Sequence, residues 1–385
     1  MQHQRKSTVK RAVNAVSRRG FLRNAAGALA LASGGTGHSG SLFGQESGAA
    51  PAPTAGPGEP FFKTRGVVLV PGDMATLDWP GMAKQAGLTT IGTHITPSQV
   101  AGFVATERGQ EFLSRCRELG VHVEHELHAM KDLLPRKLFK KDPTMFPMND
   151  KGERIPNYNL CVHSKAAVAI VCENTVKYSE KLRSDTGRYF YWIDDGAPMC
   201  RCPKCKGLSN TDQAVMLENA MVKALRAFDP RATLAHLAYG RTLAAPTQVK
   251  PDPSLFLEFA PIHKYTGPHG KPEEAKAKRK EWGRRYLALL DDNLKVFDAG
   301  STQALEYWLD ESLFWRAARK VDKNVNRVKI PWDQKAFEDD LAEYGKRGIR
   351  HITTFAVMID DKYEAQWGTP PLKEYALALK SWRPG

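Results

Sequence analysis

Two carboxylates and three thiols crowd one stretch of this 385-residue chain, Tyr189 to Cys205, YFYWIDDGAPMCRCPKC. An aromatic, apolar run of the kind that fills a buried strand stops at Asp194-Asp195-Gly196, and Cys200-x-Cys202-x-x-Cys205 comes next. Carboxyls at the end of a buried strand are placed for acid/base work. Cleavage of a glycosidic bond is one such reaction, and it needs two carboxyls flanking the bond, one protonated and one ionised. Adjacent residues of an extended chain point to opposite faces. Asp194 and Asp195 therefore should not form that pair: one is the acid, and its neighbour positions it or binds substrate. The partner has to come from another strand, and Glu306 and Glu258 are the candidates, with Asp310 third.

The thiols admit two readings. A structural zinc site needs four ligands, and Cys161 could join Cys200, Cys202 and Cys205 if the strands preceding them are neighbours. Disulfides are the alternative, and an exported protein permits them. We expect disulfides or free thiols ahead of zinc, and no cofactor that the reaction requires. Cys116 and Cys172 fall on apolar helical positions and read as core thiols.

The elements that must position these groups alternate in type. Short β-branched or aromatic runs predict strands at Val67–Val70, Leu88–Ile95, Val121–Leu127, Tyr189–Ile193, Thr233–Tyr239, Leu255–Ala260, Gln303–Leu309 and Ile349–Ala356. Between them, helical spacing predicts helices at Asp78–Gly87, Val100–Leu119, Ser164–Leu182, Thr211–Phe228, Glu273–Phe297 and Phe337–Gly348, with Leu372–Trp382 closing the chain. Gly87 and Gly120 are placed as left-handed helix ends. Two connections break the rhythm: a polar excursion from Lys131 to Asn159, and a helix-free loop from Gly240 to Ser254. Continuous apolar strands alternating with helices predict a single α/β domain, a (β/α)8 TIM barrel over 61–385. No glycine-rich phosphate turn favours an open doubly wound sheet. In a barrel the C-terminal strand ends carry the site. Besides the carboxyls, those ends supply His128, His236, Tyr239, His263, Trp308 and Asp310, read as groups that stack on a sugar ring or bond its hydroxyls.

Charge argues against a nucleic-acid partner. Seven of the +14 net charges lie in the first 23 residues, which hold no acid, and the remaining +7 is spread over a long body. That basic start contains Ser17-Arg18-Arg19-Gly20-Phe21-Leu22-Arg23, a twin-arginine export pattern, and the apolar run Ala25 to Ala32. The run is too short to span a bilayer. Residues 1–32 thus read as a signal handled by the twin-arginine translocation machinery, 33–60 as a Gly/Ser/Ala/Pro linker, and the mature chain as periplasmic or extracellular.

From Leu133 to Tyr363 the chain resembles the DUF4838 family. The resemblance runs through Leu133-Leu134-Pro135, Asn159-Leu160-Cys161, Trp192-x-Asp194-Asp195-Gly196 with its three cysteines, and Ser209-x-x-Asp212-Gln213. It continues through His236-Leu237-Ala238-Tyr239, Phe256 to Pro261 (FLEFAP), Glu306-Tyr307-Trp308-Leu309-Asp310 and Gly348 to Phe355 (GIRHITTF). What it implies is a barrel related to family 20 hexosaminidases and family 67 α-glucuronidases. By position it gives Asp195 the general acid's place after the fourth strand, where those relatives have Glu. The expected protein is an exported carbohydrate-active hydrolase acting on an oligo- or polysaccharide, with Asp195 as acid and Asp194 orienting it. Glu306 or Glu258 would be its base or stabiliser. The Asp-for-Glu replacement keeps a second expectation open, a carbohydrate-binding protein on a barrel scaffold without turnover.

Overall fold

The computed structural model describes residues 59–264 and 272–384. The twin-arginine segment, nearly all of the expected linker and the side chain of His263 lie outside the described residues. Eight strands, β1 (Thr64–Leu69), β2 (Thr90–Ile95), β3 (His122–His128), β4 (Arg188–Trp192), β5 (Thr233–Ala238), β6 (Leu255–Phe259), β7 (Gln303–Glu306) and β8 (His351–Phe355), form a closed barrel. Every neighbour is parallel and consecutive, and β1 closes the ring on β8 with Thr64 opposite His351. This is the (β/α)8 barrel that the alternation predicts.

The parity of each strand decides what faces the lumen. Phe190 and Trp192 of β4, Ala235 and Leu237 of β5, Phe256 of β6 and Leu305 of β7 pack into one inner cluster. Their neighbours Tyr189, Tyr191, Leu234, Ala238, Leu257, Phe259 and Ala304 belong to the layer between barrel and helices. Two-residue periodicity alone produces this split.

Local signals set the helix ends. Gly87 and Gly120 adopt φ of +91° and +66°, and their N–H groups return to carbonyls of the last turn. The helix expected over Val100–Leu119 is two helices, Pro97–Val104 and Glu107–Leu119, because the Thr106 hydroxyl accepts the Gly109 N–H at 3.1 Å and starts a new one. Ser209 caps the helix Asn210–Phe228, which starts one residue earlier than expected. Asp212 accepts the backbone N–H groups of Thr247, Gln248 and Val249 at 2.8–2.9 Å. Burial alone would raise its pKa, but these bonds and the Ser209 hydroxyl outweigh it and hold the carboxyl down to about 2. An ionised side chain thereby organises the connection between β5 and β6, which has only the short turn Gly240–Thr242 where other units have a helix. Strand β7 ends at Glu306, three residues before its expected end. No helix among the described residues is long and apolar enough to cross a membrane.

Candidate active site

A cavity of about 210 Å³ opens at the C-terminal end of the barrel. All eight strands or the turns after them reach it, from Val70 after β1 round to Val357 after β8. Its carboxyls are Asp195, after β4, and Asp310, after β7. These strands are three apart around an eight-membered ring, so the two groups approach the cavity from well-separated positions.

Asp195 stands at the corner of a turn. The Ala197 N–H bonds the Asp194 carbonyl at 3.2 Å, and Gly196 holds φ at +57°, a conformation that favours glycine. Arg241 Nε fastens the turn through the Gly196 carbonyl at 3.0 Å. Asp195 is exposed at this corner, and its charge acts on the nearby Tyr239 hydroxyl. Burial, then the nearby Asp195 charge, pushes the Tyr239 hydroxyl well above its ordinary range, so it stays a protonated donor.

Asp310 is enclosed, with 4% of its surface exposed. Burial raises its pKa to about 6, against the opposing Ser312 hydroxyl at 2.6 Å and the Arg316 guanidinium. Arg316 donates to the Ser312 oxygen at 3.1 Å and itself lines the cavity. A carboxyl that holds its proton in weakly acidic solution thus faces the same space as a more open one.

Aromatic rings make the floor and walls. Trp192, His94, Phe355 and Tyr307 form a contiguous series with ring centroids 4.9–5.6 Å apart, and His128 packs edge-on against Trp192 at 5.1 Å. His94 Nδ1 lies 2.7 Å from the Glu126 carbonyl, and His128 Nδ1 lies 2.7 Å from the Ile193 carbonyl. A carbonyl only accepts, so each Nδ1 carries a hydrogen, which leaves Nε2 to a ligand hydroxyl. Burial lowers both imidazoles, His94 to about 3, so both are neutral around the site. Beyond the expected binding residues the cavity is lined by His94, Trp192, Tyr307, Arg316 and Phe355; the even spacing of His94 from Gly92 and Thr90 along β2 marks it as lumen-facing.

The structure separates the remaining expected residues from this cavity. Asp194 points away, as adjacency predicts, but its work is structural: it accepts the Lys131 N–H at 3.2 Å and pairs with Arg136 at 2.5 Å. Burial still holds its carboxyl above the ordinary range, against Arg136. Glu258 lies in the lumen one step below the cavity, fully buried, where it accepts Trp192 Nε1 at 2.8 Å and Gln303 Nε2 at 3.0 Å. It supports the indole from beneath and does not line the cavity. Glu306 has the outward parity of β7. It is fully buried behind the wall, bonded by the Tyr344 hydroxyl and by Lys264 at 3.2 Å, and cannot serve as base in the mouth. His236 is likewise outward, held by Glu218 at 2.8 Å and stacked on Phe297, so it does not bind substrate. Trp308 donates to Asp340 at 3.1 Å and packs on Phe337, again outside the cavity. Of the expected site residues, Asp195, Asp310, His128 and Tyr239 meet in the cavity.

The thiols gather beside the Asp195 turn. Sγ atoms of Cys161, Cys200, Cys202 and Cys205 lie within 4.8 Å of one another, and none is in a disulfide. Asn159, two residues before Cys161, bonds the Asp194 N–H at 2.9 Å and the Pro198 carbonyl at 3.2 Å. The long excursion after β3 therefore braces the turn after β4 rather than covering the cavity.

The C-terminal mouth of the barrel thus gathers carboxyls, neutral imidazoles and aromatic rings around one cavity. The chain belongs to the DUF4838 family, described as a domain of unknown function, which it matches over residues 103–299. No curated protein matches it. Among solved structures it is similar to endo-glycoceramidase II from Rhodococcus sp. in its lactosyl-enzyme form, at 9% identity and a TM-score of 0.46, over 80% of this chain and 75% of that one. It is similar to the GH53 catalytic domain of Ignisphaera aggregans at 15% identity and a TM-score of 0.43, over 86% and 99%. A tri-modular GH5 endo-β-1,4-glucanase from Bacillus licheniformis aligns at 11% identity and a TM-score of 0.49, over 84% and 60%.

Proposed function

We propose that this protein is an exported carbohydrate-active hydrolase that cleaves a glycosidic bond between Asp310 and Asp195. The observation that carries the reading is the pairing itself: an enclosed carboxyl pushed up to about 6 and an exposed one, reaching one aromatic-lined cavity from β7 and β4. Two carboxyls in different environments are how such sites divide acid from base or nucleophile. Asp310 is the acid that protonates the leaving oxygen, and Asp195, near Tyr239, is its partner as base or nucleophile. This exchanges the roles expected from the sequence, because Asp310 is the one that burial keeps protonated. Trp192 and Tyr307 offer faces to the sugar ring, and the Nε2 atoms of His94 and His128 accept from its hydroxyls. At about 210 Å³ the cavity is smaller than the roughly 300–1,000 Å³ of sites for drug-sized ligands, a size suited to one terminal sugar unit.

Export through the twin-arginine pathway to the periplasm or beyond belongs to the same proposal and rests on residues 17–32. Retention in the cytoplasm is the expected result when Arg18 and Arg19 are both changed to Lys, read by fractionation. The hydrolase reading is tested by incubating the protein with aryl glycosides and oligosaccharides. N-acetylhexosaminides are included because the family resemblance implies them, and uronides because the Arg316 guanidinium lines the cavity. Release of a monosaccharide, absent with Asp310→Asn, supports it. Saturable binding of a glycan with no product after prolonged incubation replaces it with the carbohydrate-binding reading.

A further inference from the structure

We propose that Cys161, Cys200, Cys202 and Cys205 form a tetrathiolate zinc site that locks the excursion after β3 onto the turn that carries Asp195. The sulfur geometry is the main argument. A tetrahedral site with Zn–S of about 2.3 Å has sulfur–sulfur edges of about 3.8 Å. Cys161 Sγ lies 3.7 Å from Cys202 Sγ and 3.9 Å from Cys205 Sγ, and all four sulfurs fit within 4.8 Å. Four mutually adjacent thiols describe the corners of one polyhedron. Two disulfides would instead draw the sulfurs into separate pairs at about 2.05 Å.

The surroundings suit thiolates. All four cysteines are buried, with at most 4% of their surface exposed. Cys200 Sγ accepts from the Met148 N–H at 3.4 Å, from the Cys202 N–H at 3.5 Å and from Arg154 Nη1 at 3.5 Å. His163 Nδ1 stands 3.2 Å from Cys205 Sγ. Donors of this kind offset the negative charge of a zinc–thiolate cluster and orient its ligands. The local chain fits as well. Cys202-x-x-Cys205 closes as a tight turn in which the Cys205 N–H and the Lys206 N–H both bond the Cys202 carbonyl at 2.9 Å, and two-residue spacing is common between zinc ligands. Four soft thiolates in a tetrahedron select zinc or iron among the biological metals, and a closed shell of four protein ligands marks a structural role.

The site joins two segments that also meet through hydrogen bonds at Asp194, Pro198 and Cys200. Cys161 ends the excursion that also supplies Arg136 and Asn159 to Asp194, and Cys200 lies five residues beyond Asp195. Metal binding is thus coupled to the order of the turn, and only this consequence rests on the proposed hydrolase site.

Elemental analysis of the full chain, purified without chelator or added metal, should find about one zinc per protein. Stoichiometric iron, or no metal together with cysteines found in disulfides by mass spectrometry under non-reducing conditions, overturns the assignment. Cys161→Ser should lose most of the zinc and lower the melting temperature, whereas Cys172→Ser, outside the cluster, keeps it. Should Cys161→Ser fail to fold, cobalt exchanged into the wild-type protein decides: intense thiolate-to-cobalt charge-transfer absorption supports the site, and its absence overturns it. Zinc at full stoichiometry in a protein without hydrolase activity would sink the functional proposal and leave this one standing.

Discussion

The mouth of the barrel and the layer directly beneath it both hold carboxyls, yet they are different chemical environments. In the mouth, Asp195 is exposed and Asp310 faces a cavity with Arg316 and Ser312 beside it. In the layer below, Glu124, Glu126 and Glu258 are fully buried, and Gln303 Nε2 stands between Glu126 at 3.3 Å and Glu258 at 3.0 Å. Arg188 is the cation of that layer, 3.7 Å from Glu124 and stacked 3.8 Å over the Phe256 ring. Burial raises all three glutamates, Glu258 to about 8, and Glu126 is raised further by its acidic neighbours. A raised pKa is therefore no mark of catalysis by itself. What distinguishes Asp310 is that its raised carboxyl also reaches a space where a substrate can sit.

That difference predicts the largest effects in the mouth. Asp310→Asn and Asp195→Asn should each lower kcat/KM about 10²–10⁴-fold, the usual contribution of a positioned acid or base. In the wild type, kcat/KM should fall as pH rises through about 6, where Asp310 gives up its proton. Full activity in Asp310→Asn on the true substrate would erase the distinction between the two layers.

The layer below should answer to stability instead. Glu258 is protonated in the folded barrel up to about pH 8 but ionises in the unfolded chain near 4.5. Between those values the folded state holds a proton that the unfolded state has lost, so stability present below about 4.5 declines as pH rises towards 8. Glu258→Gln keeps a carbonyl to accept Trp192 Nε1 and removes the titration. It should flatten the loss of melting temperature between about pH 5 and 8, with a gain of about 1–3 kcal/mol at the upper end. Activity should fall less than about 10-fold, through the indole it supports. A variant with an unchanged pH slope would show that Glu258 titrates alike in both states.

How far the sequence reveals this division depends on which physical signal is read. Strand positions derive from apolar runs, and the caps at Gly87 and Gly120 from glycine's tolerance of positive φ. Asp194 and Asp195 diverge as adjacency dictates. Glu306 and His236 were legible too, because each is one residue out of step with the lumen-facing Leu305 and Leu237. Attention to strand ends without parity places them in the mouth. Trp308 is harder, since β7 stops at Glu306 and alternation no longer governs the turn beyond it. The depth of Glu258 was not legible at all: its parity is right, and only the stagger of β6 against β4 puts it under Trp192 rather than beside the substrate. The gathering of Cys161 with the other thiols needs β3 and β4 to be neighbours, which the barrel supplies.

The smallest expected effect sharpens the contrast most. Tyr239 lines the cavity near Asp195, and burial keeps its hydroxyl protonated well beyond neutral pH. It can donate a hydrogen bond to the carboxylate and cannot readily give up its proton. Tyr239→Phe preserves the ring, its packing and the shape of the wall, and removes a hydroxyl that can donate to a charged acceptor. Such bonds are worth about 1.5–3 kcal/mol when one partner is ionised, and the exposure of Asp195 to water places this one at the lower end. A fall in kcat/KM of about 10-fold, with little change in melting temperature, is the expected outcome. A fall as deep as that of Asp195→Asn would make Tyr239 a proton donor in its own right and move the acid of the reaction from β7 to β5. No change at all would mean that the Gly196 turn and its Arg241 contact suffice to aim Asp195.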